Sequence, residues 1–268
     1  MSEDDQTLGD RMKAQEQIEA GRKCDNTLPL IARLDGRAFH TFTRGLERPY
    51  DVRLSNLMAE TTKFLVRKTQ ARLGYCQSDE ITLFWYNAPP KSDRRSYSEY
   101  MFGDKYQKLT SILAGLASAY FSREVVTVLP EKAEYLPVFD CRVWNVSSLH
   151  EVYANFLWRQ NDAIKNSVSM LAQSHFSHAE LQGKNSMEMK AMLKARGIEW
   201  HKEPEFFRVG SFFAKCNRFV KLSDDDLTAI PEHCRPPEGL VMRSFIERLD
   251  IERIAYSDIE SLATNQGN

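Results

Sequence analysis

The sequence predicts an α+β fold: a ferredoxin-like, split βαβ antiparallel sheet with helices on one face, followed by a mainly helical C-terminal part. Three observations carry this. Up to about residue 145 the elements read strand, helix, strand, strand, helix, strand. Two long stretches between those strands hold apolar residues at helical spacing. Beyond residue 146 helical periodicity takes over for most of the remaining chain.

Taken in order, residues 5–22 are charged, with weak helical spacing at Leu8, Met12 and Ile18, and residues 1–24 are expected to form a peripheral helical segment. Residues 28–35 are the first strand, with Pro29 tolerated at its start. Leu54, Leu57, Met58, Leu65 and Val66 mark a helix over 53–72. Residues 73–78 and 80–87 read as two strands joined at Ser78-Asp79-Glu80. Asn87–Ser96 is the clearest linker. Tyr106, Leu109, Ile112, Leu113, Leu116 and Tyr120 define a second long helix, and 124–129 and 136–143 are further strand candidates. A core of 25–145 and a helical region of 146–268 follow as the expected division. In the second region Val152, Phe156, Leu157, Ile164, Val168 and Leu171 share one face of a helix from about Leu149 to Ser174, with Arg159, Gln160, Asp162, Lys165 and Asn166 opposite. A shorter helix covers 186–196 and stops at Gly197, and Phe206–Phe213 reads as extended.

This order makes the first and third strands antiparallel neighbours at the centre of the sheet. The C-terminal end of the first then lies beside the N-terminal end of the third. Asp35 ends the first and Asp79-Glu80 opens the third, so the topology places these carboxylates at one edge.

Composition limits the functional classes. With 42% hydrophobic and 27% charged residues the chain is an ordinary soluble globular protein. A formal net charge of −1 excludes a generally basic nucleic-acid binder but leaves room for a local basic groove among 36 Lys and Arg. Five cysteines, odd in number and without a C-x-x-C pair, argue for reduced thiols and a cytoplasmic setting. No run approaches the ~18 apolar residues of a membrane helix, and the acidic start is unlike a secretory signal, so no membrane partner is expected.

Paired carboxylates suit Mg²⁺, which takes one or two of them together with substrate phosphates and water. Two such ions can serve an in-line phosphoryl transfer. Gly36, lacking a Cβ, permits close approach of a phosphate or exposes its own carbonyl. Spacing alone serves a second reading equally well, in which Asp35-Gly36 and Ser78-Asp79 are ordinary turn residues. Arg37-Ala38-Phe39-His40 could offer backbone N–H groups to a triphosphate, and Arg48 a cation. His175 and His178 lack companion ligands and read as helix-end residues. Arg159, Lys165, Lys184, Lys190, Lys194, Arg196, Lys202 and Arg208, with Trp158, Trp200 and Phe206 among them, suit an RNA end, or else a solvated face that balances local acids.

Three runs in order, Arg33-Leu34-Asp35-Gly36-Arg37-Ala38-Phe39-His40, Gln77-Ser78-Asp79-Glu80 and Trp158-Arg159-Gln160-Asn161-Asp162, resemble the tRNA-His guanylyltransferase family, in its bacterial and phage-type Thg1-like branch. The resemblance implies a polymerase-like palm that adds nucleotides in the 3′-to-5′ direction to a tRNA 5′ end. It implies two Mg²⁺ ions on Asp35, the Gly36 carbonyl and Asp79, with Glu80 as a supporting catalytic carboxylate. It implies NTP binding (GTP, ATP and others) by the backbone of Asp35, Gly36, Arg37, Ala38, Phe39 and His40 and by Ser78, with Arg48 at the place of a family lysine, and a homotetramer. The histidine-isoleucine-asparagine-asparagine run of the family's eukaryotic guanylyltransferases is Ile164-Lys165-Asn166-Ser167 here, with only Asn166 kept. Loss of that histidine favours template-dependent repair of tRNA 5′ ends over dedicated addition of one G to tRNA-His. Two other readings fit the same residues: another two-metal palm enzyme such as a nucleotidyl cyclase, or a catalytically idle RNA-binding protein.

Overall fold

A computed structural model describes residues 7–87, 89 and 97–264, so most of the expected linker at 87–96 lies outside the described residues. A peripheral helix α1 (Leu8–Ala20) comes first and buries none of its side chains. Then follow β1 (Leu30–Gly36), the short α2 (Phe39–Phe42), α3 (Val52–Thr69), β2 (Leu73–Gln77), β3 (Glu80–Trp85), α4 (Tyr106–Val128) and β4 (Phe139–Asn145). Next come α5 (Leu149–Gln173), α6 (His178–Leu181), α7 (Ser186–Ala195), α8 (Glu205–Val209), β5 (Ser211–Lys221), α9 (Asp224–Ala229), β6 (Leu240–Leu249) and α10 (Tyr256–Thr264).

The strands form one six-stranded antiparallel sheet in the order β4-β1-β3-β2-β5-β6. Its first four positions are the split βαβ arrangement, with β1 and β3 central. Period-two alternation sends Leu30, Ala32 and Leu34 of β1 to one face, where the buried stripes of α3 and α4 cover them. Ile31 points the other way, against Val152 and Phe156 of α5 and Ile259 of α10. Thus the palm's own helices lie on one face, as expected, and the C-terminal helices close the other.

α3 starts where the Asp51 side chain accepts a bond from the Arg53 N–H at 2.9 Å, and buries Leu57, Met58, Thr61, Thr62, Leu65 and Val66 at helical spacing. α4 buries Leu109, Leu113, Ala117, Phe121 and Val125, one every four residues. This stripe corrects the strand expected at 124–129. Its β-branched residues favour a strand locally, but Val125 is the next core position of the helix, and tertiary packing overrides such propensity. The true strand begins at Phe139.

Two further corrections concern the C-terminal part. Residues 205–209 of the segment expected to be extended form α8, and the strand begins at Ser211. Gly210 separates them at φ 79°, where an added Cβ would fall 2.6 Å from Tyr75 Cζ. On α5, Arg159 and Gln160 are buried rather than solvent-facing. Gln160 ties the helix to the turn after β6: its side chain accepts from the Ile254 N–H at 3.1 Å and donates to the Glu252 carbonyl at 3.2 Å.

Candidate active site

The register brings the expected carboxylates together. Asp35 pairs with Glu80 across β1–β3 and with Asp140 across β1–β4, and the Gly36 N–H donates to the Asp79 carbonyl at 3.0 Å. Gln77 faces Glu80, so Ser78-Asp79 is a two-residue hairpin turn, with Ser78 left-handed at φ 49°. Asp35 and Asp79 are half-buried, and among the described residues neither forms an ion pair with a cationic side chain. Burial pushes the Asp79 carboxyl up from its ordinary value, and the like charge of Asp35 adds to the shift, against hydrogen bonds from its own backbone and Ser78 that pull it down. A hard cation between the two carboxylates would remove that repulsion. Packing requires the glycine at position 36, because an added Cβ would fall 2.6 Å from Phe39 Cγ, in the ring seated beneath the strand end.

The chain after Gly36 is held at both ends. The Arg37 N–H donates to the Val138 carbonyl at 2.9 Å, and Ala38 turns left-handed at φ 56° to open α2. Phe39 packs with Phe42 and Phe139, ring centres 5.2 Å away in each case, and is almost wholly buried. Its side chain belongs to the core, so only its backbone is available to a phosphate.

Beside the carboxylates lies a cavity of about 300 Å³. From the sequence-derived set His40, Arg48, Ser78 and Asn166 line it, whereas Asp35, Gly36, Arg37, Ala38 and Asp79 do not. Its aromatic wall was foreseen only at Phe206: Tyr50, Phe206 and Phe207 form one group, with Tyr50 centred 4.6 Å from Phe207 and 5.3 Å from Phe206. The Tyr50 hydroxyl donates to Glu203 at 3.2 Å, which fixes the ring from outside the cavity. Reading 206–213 as a strand hid this wall, because a helix at 205–209 presents both phenylalanines.

Glu80 stands apart from the other two carboxylates. Arg159 grips it at two points, Nε to Oε1 and Nη2 to Oε2, both at 2.7 Å, and a second bond from Nη2 reaches Asp162 at 3.0 Å. Burial pushes Glu80 up and the Arg159 hydrogen bonds pull it back. The indole of Trp158 lies against both Arg159 and Arg33, 4.4 and 5.4 Å from the guanidinium carbons. Thus the third sequence run is joined directly to the first two. Of the remaining basic residues, Lys184, Arg196, Lys202 and Arg208 pair with Glu188, Glu180, Glu199 and Glu252, so much of that set balances local acids. His175 and His178 are exposed, and among the described residues no group of three or more histidine, cysteine or acidic side chains could hold a metal ion. No described helix is long and apolar enough to cross a membrane.

A palm-like antiparallel sheet with two carboxylates at one strand end, next to a cavity rimmed by arginine, serine and asparagine, is the frame of a nucleotide-handling enzyme. Comparison with known proteins makes the class specific. The family model described as tRNAHis guanylyltransferase matches residues 9–147, and the chain belongs to that family of nucleotidyltransferases. A bacterial tRNA(His) guanylyltransferase (Thg1)-like protein solved in complex with ATP is 35% identical, with a TM-score of 0.72 over 78% of this chain and 88% of its own. Another, in complex with GTP, is 28% identical with a TM-score of 0.72, covering 97% of this chain and 100% of its own. The tRNA(His) guanylyltransferase of Debaryomyces hansenii is 26% identical over 213 residues, 73% of this chain and 77% of the yeast protein.

Proposed function

We propose that this nucleotidyltransferase is Mg²⁺-dependent and extends the 5′ end of a tRNA in the 3′-to-5′ direction, with template-dependent repair of truncated ends as its task. The observation that carries the reading is the meeting of Asp35 and Asp79 beside the cavity, two half-buried carboxylates that form no ion pair with a cationic side chain among the described residues. Asp35, the Gly36 carbonyl and Asp79 would hold the metal. When bound, two ions supply charge neutralisation on the phosphates and a lowered pKa for the attacking hydroxyl.

The reaction joins the 3′-hydroxyl of an incoming NTP to the activated 5′-phosphate of the RNA. The new bond is a phosphodiester, the hydroxyl proton passes to solvent, and pyrophosphate or AMP leaves. The chain's residues bind and orient the reactants. Arg48, Ser78, His40 and Asn166 offer a cation and polar groups to phosphates at the cavity rim, and Tyr50, Phe206 and Phe207 offer an apolar wall to a base. Backbone of Arg37–His40 lies at the strand end where the triphosphate would approach. Support for templating is the sequence Ile164-Lys165-Asn166-Ser167, which lacks the histidine that the eukaryotic guanylyltransferases of the family carry.

The test is extension of a tRNA transcript lacking its first nucleotide, with the opposing nucleotide of the acceptor stem varied. Addition of the complementary NTP in each case supports templated repair. Addition of G whatever the opposing nucleotide would overturn it. The working unit is proposed to be a cytoplasmic homotetramer, and light scattering that gives the mass of fewer than four chains would contradict the tetramer.

A further inference from the structure

We propose, resting on the cation-site reading above, that Arg159 is a positioning residue that withholds Glu80 from the cation site, while Asp140, the other cross-strand partner of Asp35, is paired with Arg142 at 3.3 Å. Asp35 and Glu80 are direct partners across β1–β3 and therefore stand on the same face of the sheet. Side chains so paired have Cβ atoms about 5 Å apart, so an unrestrained Glu80, one methylene longer than Asp35, could reach a metal that Asp35 binds. It would complete a cluster with Asp79. Instead both its oxygens are taken by Arg159 at 2.7 Å, in the two-point geometry that fixes a carboxylate's direction as well as its charge. Arg33 Nε also lies 4.0 Å from Glu80 Oε2, and Trp158 packs on both guanidiniums. Arg159 and Glu80 are 7% and 6% exposed.

A tie between α5 and β3 made only for stability could be apolar, since buried ion pairs recover little of their desolvation cost. What an ion pair does here that an apolar pair could not is hold a carboxylate turned away from its two neighbours. The consequence is a lightly charged site whose affinity for free cations stays low, so that metal is retained chiefly when a triphosphate adds its own oxygens.

The test is Mn²⁺ binding to the full chain without nucleotide, followed by electron paramagnetic resonance of the free ion. Arg159→Met releases Glu80 and is expected to tighten Mn²⁺ binding by about tenfold, because affinity rises with the number of charged ligands. Glu80→Gln/Arg159→Met removes both charges, is expected to fold, and should return to the affinity of the unaltered protein. Unchanged or weaker binding by Arg159→Met overturns the proposal. Should that single variant fail to unfold cooperatively, the double variant decides. Unaltered affinity supports a withheld Glu80, whereas a loss of about tenfold or more shows Glu80 to be a ligand. Asp79→Ala separates the two readings: it should abolish Mn²⁺ binding, and if it does not, the cation site itself is misplaced, whatever Arg159 does.

Discussion

At the scale of single residues, Asp79 and Gly36 carry the clearest consequences. Asp79 is held above its ordinary pKa by burial and by the charge of Asp35, so its protonated form is favoured in the folded chain. The sign follows directly. The folded state binds more protons than the unfolded one around the ordinary carboxylate range, so stability falls as pH rises through that range toward the raised value. In metal-free protein, Asp79→Asn should remove this loss and match or exceed the unaltered chain above it. Denaturant midpoints measured against pH check this, and identical pH slopes for the two proteins would contradict it. Gly36→Ala would drive a methyl group into the Phe39 ring and should destabilise by about 1–3 kcal/mol, the usual cost of overpacking, measured by equilibrium unfolding. Both residues were legible in the sequence as the end of a strand and its turn. Their meeting was legible as well, though not from spacing, which describes ordinary turns equally well. It took the strand order to put them at one edge.

At the scale of elements, α5 matters most. Its stripe of Val152, Phe156, Val168 and Leu171 was legible from periodicity, and these four residues are buried. The polar face was misread, because Arg159 and Gln160 are buried through specific partners that hydropathy cannot see: Glu80, 79 residues earlier, and the backbone near Ile254, 94 residues later. Gln160→Leu should leave the Ile254 N–H and the Glu252 carbonyl without their side-chain partner. We expect a loss of about 1–3 kcal/mol in unfolding free energy. Residues 124–129 and 205–209 were misread for the opposite reason. Their composition favours extended backbone, but Val125 continues the buried stripe of α4 and Val209 is buried at the end of α8, and packing decided the outcome.

At the scale of the whole molecule, the sheet does not end where the family match ends. The match stops at residue 147, yet β5 and β6 extend the sheet beyond β2, and Phe156 and Ile259 cover Tyr75, Phe84 and Phe212 on its second face. A fragment of residues 1–147 would expose that face and leave β2 as a bare edge strand. We expect it to lack cooperative unfolding and near-ultraviolet circular dichroism, and a fragment with a sharp native transition would contradict this. The four-strand core order was legible in sequence because two strong helical stripes separate its strands. The added hairpin was not, since β5 opens on consecutive buried residues, Ser211 to Ala214, and is largely exposed from Lys215 onward, so it shows no period-two pattern.

The central claim is that Asp35 and Asp79 act together as the cation-holding pair of a 3′-to-5′ nucleotide addition. Single-nucleotide extension of a 5′-truncated tRNA, with Mg²⁺ and all four NTPs, tests it most directly when the unaltered chain is compared with a folded Asp79→Ala variant. The expected result is product from the unaltered chain and none from the variant. Equal product from both would contradict the claim.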